Sequence, residues 1–243
     1  MKIDRLLLEA ELGIKVSVFD EIDSTNLFVK RFVYENKIPP DLVVSHAQTN
    51  GLGRTGKSFY SPSQTGIYAT FSFNATDIHC DDVTARVALA TAGAIDSVFS
   101  CRCGVKWVND VYLAGKKVSG ILCQRAGNYV LIGIGINVEE PENVPDDLIG
   151  KFGAVTERCL PNQYNDLIAS LYRSILSVFR AEKNTVLSEY RERCVHIGQN
   201  VTIVSDGNEL IGKCLGIADD FSLILSINGQ TQYFTSGYMS LRI

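Results

Sequence analysis

Residues 48–60 read Gln-Thr-Asn-Gly-Leu-Gly-Arg-Thr-Gly-Lys-Ser-Phe-Tyr, with three glycines (Gly51, Gly53, Gly56) and two cations (Arg54, Lys57) inside seven positions. Glycine lets the backbone take positive φ and bring its N–H groups close to a ligand. Flanking Arg and Lys supply charge for an anion, and phosphate is the best match. Gly51-x4-Gly56-Lys57-Ser58 also satisfies the P-loop pattern of nucleotide hydrolases. That pattern needs a helix directly after the loop, so that its N-terminus holds the phosphates. Here Pro62 and Gly66 follow, then an aromatic and β-branched run over 67–73 that reads as a strand. The loop is therefore expected to join two strands and close over a phosphorylated ligand.

A second chemical group lies in 106–122, Lys-Trp-Val-Asn-Asp-Val-Tyr-Leu-Ala-Gly-Lys-Lys-Val-Ser-Gly-Ile-Leu. Lys106 and Asp110 stand at the two ends of a turn between strands, and Lys117 opens the next strand of a hairpin, so the three can converge. A carboxylate among cations suits a nucleotide: it takes Mg²⁺ while the cations take phosphate and carboxylate oxygens. Spacing alone leaves a hairpin with solvated charges equally open. Ser24 and Thr25, in Asp23-Ser-Thr-Asn26, likewise stand either as helix caps or as hydroxyls offered to a ligand. Two weaker signals are discounted. Gly133-x-Gly135 lacks the third glycine and helix of a dinucleotide fingerprint. Cys101-x-Cys103 lacks the second pair or neighbouring His of a zinc site.

The elements that must position these residues belong to an ordinary globular chain. At 243 residues it can bury one large core, or a core with a small appendage. A net charge of −4 argues against nucleic acid as a principal partner. No apolar run reaches membrane-spanning length, and the N-terminus lacks the features of a signal peptide. Seven cysteines at spacings without a framework read as reduced thiols in a cytoplasmic protein.

Strands are expected over 15–20, 42–46, 67–73, 104–107, 111–113, 117–124 and 128–138, where period-2 or continuous apolar patterns occur. A helix follows Asp23–Asn26, and another starts at Asp81-Asp82, whose charges suit its dipole, and runs over 83–99. Apolar positions 164, 167, 168, 171, 172, 175, 176 and 179 give a helix over 163–180, with a further helix over 185–193. From residue 197 the pattern changes to short strands over 200–204, 210–215, 221–227 and 230–234, with Asp206-Gly207 and Asn228-Gly229 as hairpin turns. The expected fold is α+β: a mixed sheet with helices packed on it over 1–195, then a small SH3-like β barrel over 196–243.

These segments together resemble the biotin protein ligases, enzymes that attach biotin to a lysine of a carboxylase carrier domain. Gly51-Leu-Gly-Arg54-Thr-Gly-Lys57 is similar to that family's G-R-G-R-x-G-R loop, and Lys106-Trp-Val-Asn-Asp110 to its K-W-P-N-D motif. Lys117-x-x-Gly120-Ile-Leu, Ser24-Thr-Asn26, Gln48 and Gly133-x-Gly-x-Asn137 match further motifs in the same order. The resemblance runs from about Val16 to the C-terminus. The family's DNA-binding N-terminal domain finds no counterpart, so the monofunctional type is expected.

The resemblance implies a biotin site made by Ser24, Thr25, Gln48, Gly51, Leu52, Phe59, Lys117, Gly120, Leu122 and Gly133. In it Ser24, Thr25 and Gln48 bond the ureido ring and Lys117 holds the carboxylate. It implies an ATP site made by Arg54, Lys57, Phe59, Lys106, Asn109, Asn137 and Arg242, with Asp110 on Mg²⁺. Arg54, Lys106, Lys117 and Asp110 are the implied catalytic set. The implied reaction forms biotinyl-AMP and passes the biotinyl group to a carrier-protein lysine; a homodimer is left open. A lipoate–protein ligase and a non-catalytic biotin or nucleotide binder are the alternatives. Three positions depart from the family pattern. Leu52 replaces an Arg and removes a loop cation. Lys57 replaces an Arg and loses the bidentate fork. Val108 replaces a Pro.

Overall fold

The computed structural model describes residues 3–78, 82–205, 208–235 and 240–242. Strands β1 (Val16–Phe19), β2 (Leu42–Ser45), β3 (Gly66–Asn74), β4 (Gly104–Lys106), β5 (Asp110–Leu113), β6 (Lys116–Ala126) and β7 (Tyr129–Asn137) form one sheet, in the order β1-β2-β3-β7-β6-β5-β4. β1 and β2 run parallel and every other neighbour is antiparallel, so the sheet is mixed, as expected.

Side chains alternate across a strand, and that alternation divides this sheet into a core face and a working face. Ile132, Ile134 and Ile136 of β7 and Ile67, Ala69 and Phe71 of β3 point into the main core. Helices α3 (Val83–Phe99) and α4 (Gln163–Arg180) cover that side. On the other face α2 (Thr25–Tyr34) packs Val29 against Val43, Ala126 and Leu131. Farther along that face β7 carries Gly133 and Gly135 before Asn137, and a space remains over the glycines.

Helix α1 (Arg5–Leu12) was not expected, although its signals are in the sequence: Asp4 Oδ1 accepts from the Leu7 N–H at 3.1 Å, and Gly13 closes it at φ 68°. Asp82 differs in role. Its carboxylate makes no cap bond and instead pairs with Arg86 at 2.8 Å in a buried ion pair; Asp81 lies outside the described residues.

Helix α5 (Lys183–Arg193) leads to a second sheet of β8 (Asn200–Ser205), β9 (Asn208–Ile217), β10 (Leu223–Ile227), β11 (Gln230–Phe234) and β12 (Ser240–Arg242). It is fully antiparallel in the order β11-β10-β9-β8-β12, the small barrel-type unit expected, with β12 as an extra strand that turn signals did not reveal. Asn228 and Gly229 take φ of 51° and 79°, the two positive values of a tight hairpin. Asp206-Gly207 lies outside the described residues. Trp107 Nε1 donates to the Phe221 carbonyl at 2.8 Å, so the second sheet abuts the turn that carries Lys106. Among the described residues no helix is long and apolar enough to cross a membrane.

Candidate active site

Strand register sets the site. Tyr68, Gly135, Gly120, Asp110 and Lys106 are successive partners across β3, β7, β6, β5 and β4, and Thr70, Gly133 and Leu122 form the neighbouring row. The two glycines of the first row make room for Phe59, whose ring lies against Gly135 and Gly120. A Cβ at Gly133 would overlap the Asn26 carboxamide instead. Small residues at those positions therefore shape a cavity of about 190 Å³ between the sheet and the glycine loop.

The loop is a compact lobe. Gly53 N–H donates to the Lys57 carbonyl at 2.7 Å, Phe59 N–H donates to the Gly51 carbonyl at 2.8 Å, and Leu52 bridges Ser58. Arg54 begins a single 3₁₀ turn, Arg54–Gly56, not the long helix a P-loop would need.

The inner end of the cavity is polar. Gln48 Oε1 accepts from the Thr25 N–H at 2.9 Å and from its hydroxyl at 3.2 Å, and Gln48 Nε2 donates to Ser61 Oγ at 3.0 Å. Thr70 donates its hydroxyl proton toward Thr25 Oγ1 at 2.9 Å and Asn26 Oδ1 at 2.5 Å. Ser24 Oγ accepts from the Leu27 N–H at 3.5 Å, so it does cap α2 while also lining the cavity.

The outer end is charged. Lys117 Nζ lies 2.7 Å from Asp110 Oδ1, which also accepts from Asn109 Nδ2 at 3.0 Å. Arg54 Nη1 donates to Asn109 Oδ1 at 2.7 Å. Lys106 Nζ meets the Tyr112 hydroxyl at 3.2 Å. Burial is the main force on Lys106 and lowers its pKa; Asp110 opposes that, while Lys117 and Lys57 add to it. Burial likewise lowers Arg54 and lifts the Tyr112 phenol to about 12.

Lys57, Lys106, Lys117 and Phe59 also border a larger cleft of about 760 Å³, which continues to Tyr112, Asn137, Asp147, Lys151 and Phe152. Two compartments thus share one wall of cations. The segment after residue 148 borders the cleft, and Lys117 pairs with Phe152 there as an isolated parallel bridge.

Most residues singled out in the sequence meet here. Ser24, Thr25, Gln48, Leu52, Arg54, Lys57, Phe59, Lys106, Asn109, Asp110, Lys117, Gly120, Leu122 and Gly133 all line the smaller cavity. Gly51 and Asn137 border only the cleft, and Asn137 Nδ2 is committed to the Lys117 and Gly153 carbonyls. The backbone of Arg242 pairs with Thr202 in the second sheet, and its side chain lies outside the described residues. Tyr68, Ser61 and Thr70 were missed. They sit in runs that read only as loop or strand, and their membership depends on pairings with distant residues.

Residues 18–139 match the family described as Biotin/lipoate A/B protein ligase, half of the chain. The chain belongs to that family. Among curated relatives, a bifunctional ligase/repressor BirA of Salmonella typhimurium is 27% identical over 98% of this chain and 78% of its own length. A biotin–[acetyl-CoA-carboxylase] ligase of Mycobacterium tuberculosis is 26% identical over 81% of this chain and 77% of its own. The solved biotin protein ligase of Aquifex aeolicus, in complex with biotin and ATP, superposes with a TM-score of 0.80 at 21% identity, covering 94% of this chain and 98% of that one. The family membership accounts for the motif order, and the structural likeness confirms the α+β fold with its C-terminal sheet.

Proposed function

We infer that this chain is an ATP-dependent biotin–protein ligase, which activates biotin as biotinyl-AMP and transfers the biotinyl group to a lysine of a biotin carboxyl carrier domain. One observation carries the reading. A cavity with a polar inner end shares Lys57, Lys106 and Lys117 with a cation-bordered cleft beside it. The first compartment suits an apolar acid with a urea-like head, and the second suits a nucleotide. Gln48 and Thr25 supply donors and acceptors at the inner end, and Thr70 backs Thr25 from beneath. A buried urea requires such partners, and lipoate has no such group to bond with them.

In this reading the biotin carboxylate reaches Lys117, and Arg54 and Lys57 take the α-phosphate. A carboxylate and a polyphosphate repel each other, so in-line attack requires fixed cations where charge develops. Lys106, Lys117 and Arg54 are held in place by Tyr112, Asp110 and Asn109, so little reorganisation remains at the moment of reaction. Asp110 fits a Mg²⁺ ligand, because Lys117 and Asn109 engage Oδ1 and leave Oδ2 for the metal. Bound there, Mg²⁺ would neutralise phosphate charge. The acyl–adenylate hydrolyses readily, so the 51–57 loop is assigned the role of closing over it and excluding water.

The same reading places catalysis in 1–195 and a smaller unit in 196–243, in a cytoplasmic protein with reduced thiols. The test is biotin-dependent exchange of pyrophosphate into ATP, with lipoate as control. Exchange with biotin alone supports the reading, and exchange only with lipoate or with neither overturns it.

A further inference from the structure

Away from the working face, the end of α3 and the start of β4 bring together a carboxylate and two thiols. Asp96, Cys101 and Cys103 each offer a ligand atom, and the three atoms lie within 4.8 Å of one another. Sequence spacing gave only Cys101-x-Cys103 and no third ligand. Asp96 enters from one turn inside α3, because Ser100 ends the helix in a left-handed conformation and folds the chain back.

The separations are those a tetrahedral zinc ion requires. Zinc–sulfur bonds of about 2.3 Å put two sulfurs about 3.8 Å apart, and a zinc–oxygen bond of about 2.0 Å puts sulfur and oxygen about 3.5 Å apart. Cys101 Sγ lies 3.9 Å from Cys103 Sγ and 3.7 Å from Asp96 Oδ1. The carboxylate is already oriented by its surroundings. Cys103 N–H donates to Oδ1 at 2.6 Å, and Arg193 Nη1 donates to Oδ2 at 2.7 Å and to the Cys103 carbonyl at 3.0 Å. Such outer partners are what fix ligand geometry in metal sites. Cys103 is buried while Cys101 is partly open, which gives the ion a route in and water the fourth position. Charge also balances: two thiolates and a carboxylate against a divalent ion and Arg193 sum to zero.

We propose that Asp96, Cys101 and Cys103 form a zinc site that ties the end of α3 to β4 and, through Arg193, to the end of α5. Two Zn–S bonds form as two S–H bonds break, the protons pass to solvent, and no atom is oxidised or reduced. The site lies three residues before Lys106, and its metal would stiffen the strand that carries that cation without entering the reaction.

The test uses the full chain with its thiols kept reduced, titrated with zinc and, as a spectroscopic probe, cadmium. One equivalent should bind with release of two protons and a cadmium–thiolate absorbance band. Cys101→Ser should lose the band and keep biotin-dependent pyrophosphate exchange. In the unaltered protein, zinc should protect Cys101 from alkylation while Cys123 and Cys159 react as before, a readout that does not depend on how any variant folds. No tight equivalent, a band that persists in Cys101→Ser, or alkylation of Cys101 undiminished by zinc would each overturn the assignment.

Discussion

Arg54 and Lys117 come from separate turns and are joined through two intervening side chains: Arg54 donates to Asn109, Asn109 donates to Asp110, and Asp110 accepts from Lys117. The relay sets the distance between the group that would hold phosphate and the group that would hold carboxylate. It also keeps Asp110, flanked by both, on the sheet row it shares with Gly120 and Lys106.

Lys117→Met keeps the stem over Phe59 and removes the charge. Loss of one charged hydrogen bond to the acid is worth about 2 kcal/mol, or roughly 30-fold in KM for biotin. Pyrophosphate exchange over a biotin titration measures it, and an unchanged KM would remove Lys117 from the carboxylate site.

Gly135→Ala places a methyl where the Phe59 ring lies. The ring must move into the cavity, so biotin affinity should fall more than tenfold while stability falls by about 1–3 kcal/mol. Gly93, inside α3 with open space at its Cβ position, is the control. Alanine there should stabilise by about 0.4–1 kcal/mol and leave binding alone. Calorimetric titration and denaturant melts separate the two effects.

Leu52 borders the cavity where a cation would grip the adenylate. Leu52→Arg should slow release of the intermediate, read as AMP formed from biotin and ATP without carrier protein. Equal AMP formation in both proteins would show that Leu52 does not govern retention.

Lys106 has a lowered pKa because it is buried. As pH rises it therefore loses its proton before an ordinary lysine would, and phosphate binding should weaken at that point. Lys106→Arg cannot lose its charge in that range, so the alkaline fall in exchange rate should move to higher pH. Identical alkaline limbs would assign the fall to another group.

His196 is fully buried with neither ring nitrogen bonded among the described residues, and burial holds its pKa down at about 4 against an ordinary 6.5. Between those values the unfolded chain takes up a proton that the native one refuses, so stability falls as pH drops from 6.5 toward 4 and levels off below. The loss is ~3 kcal/mol. Urea melts across that window should show it, and His196→Leu should flatten the slope.

The sequence by itself determined the strand and helix pattern apart from α1 and β12, the glycine loop and the order of the motifs, because those depend on local periodicity and on residue types a few positions apart. It also located the carboxylate and cations of the 106–117 hairpin, whose partners lie within one turn. Only tertiary structure decided that Phe59 rests on Gly120 and Gly135, that Thr70 and Tyr68 join the site, that Asn137 braces backbone carbonyls, and that Asp96 reaches the two thiols. Each of those depends on strand register or on the path of a helix end. In a sheet, a shift of one residue turns a side chain to the opposite face, and that register is fixed by core packing between segments far apart in the chain.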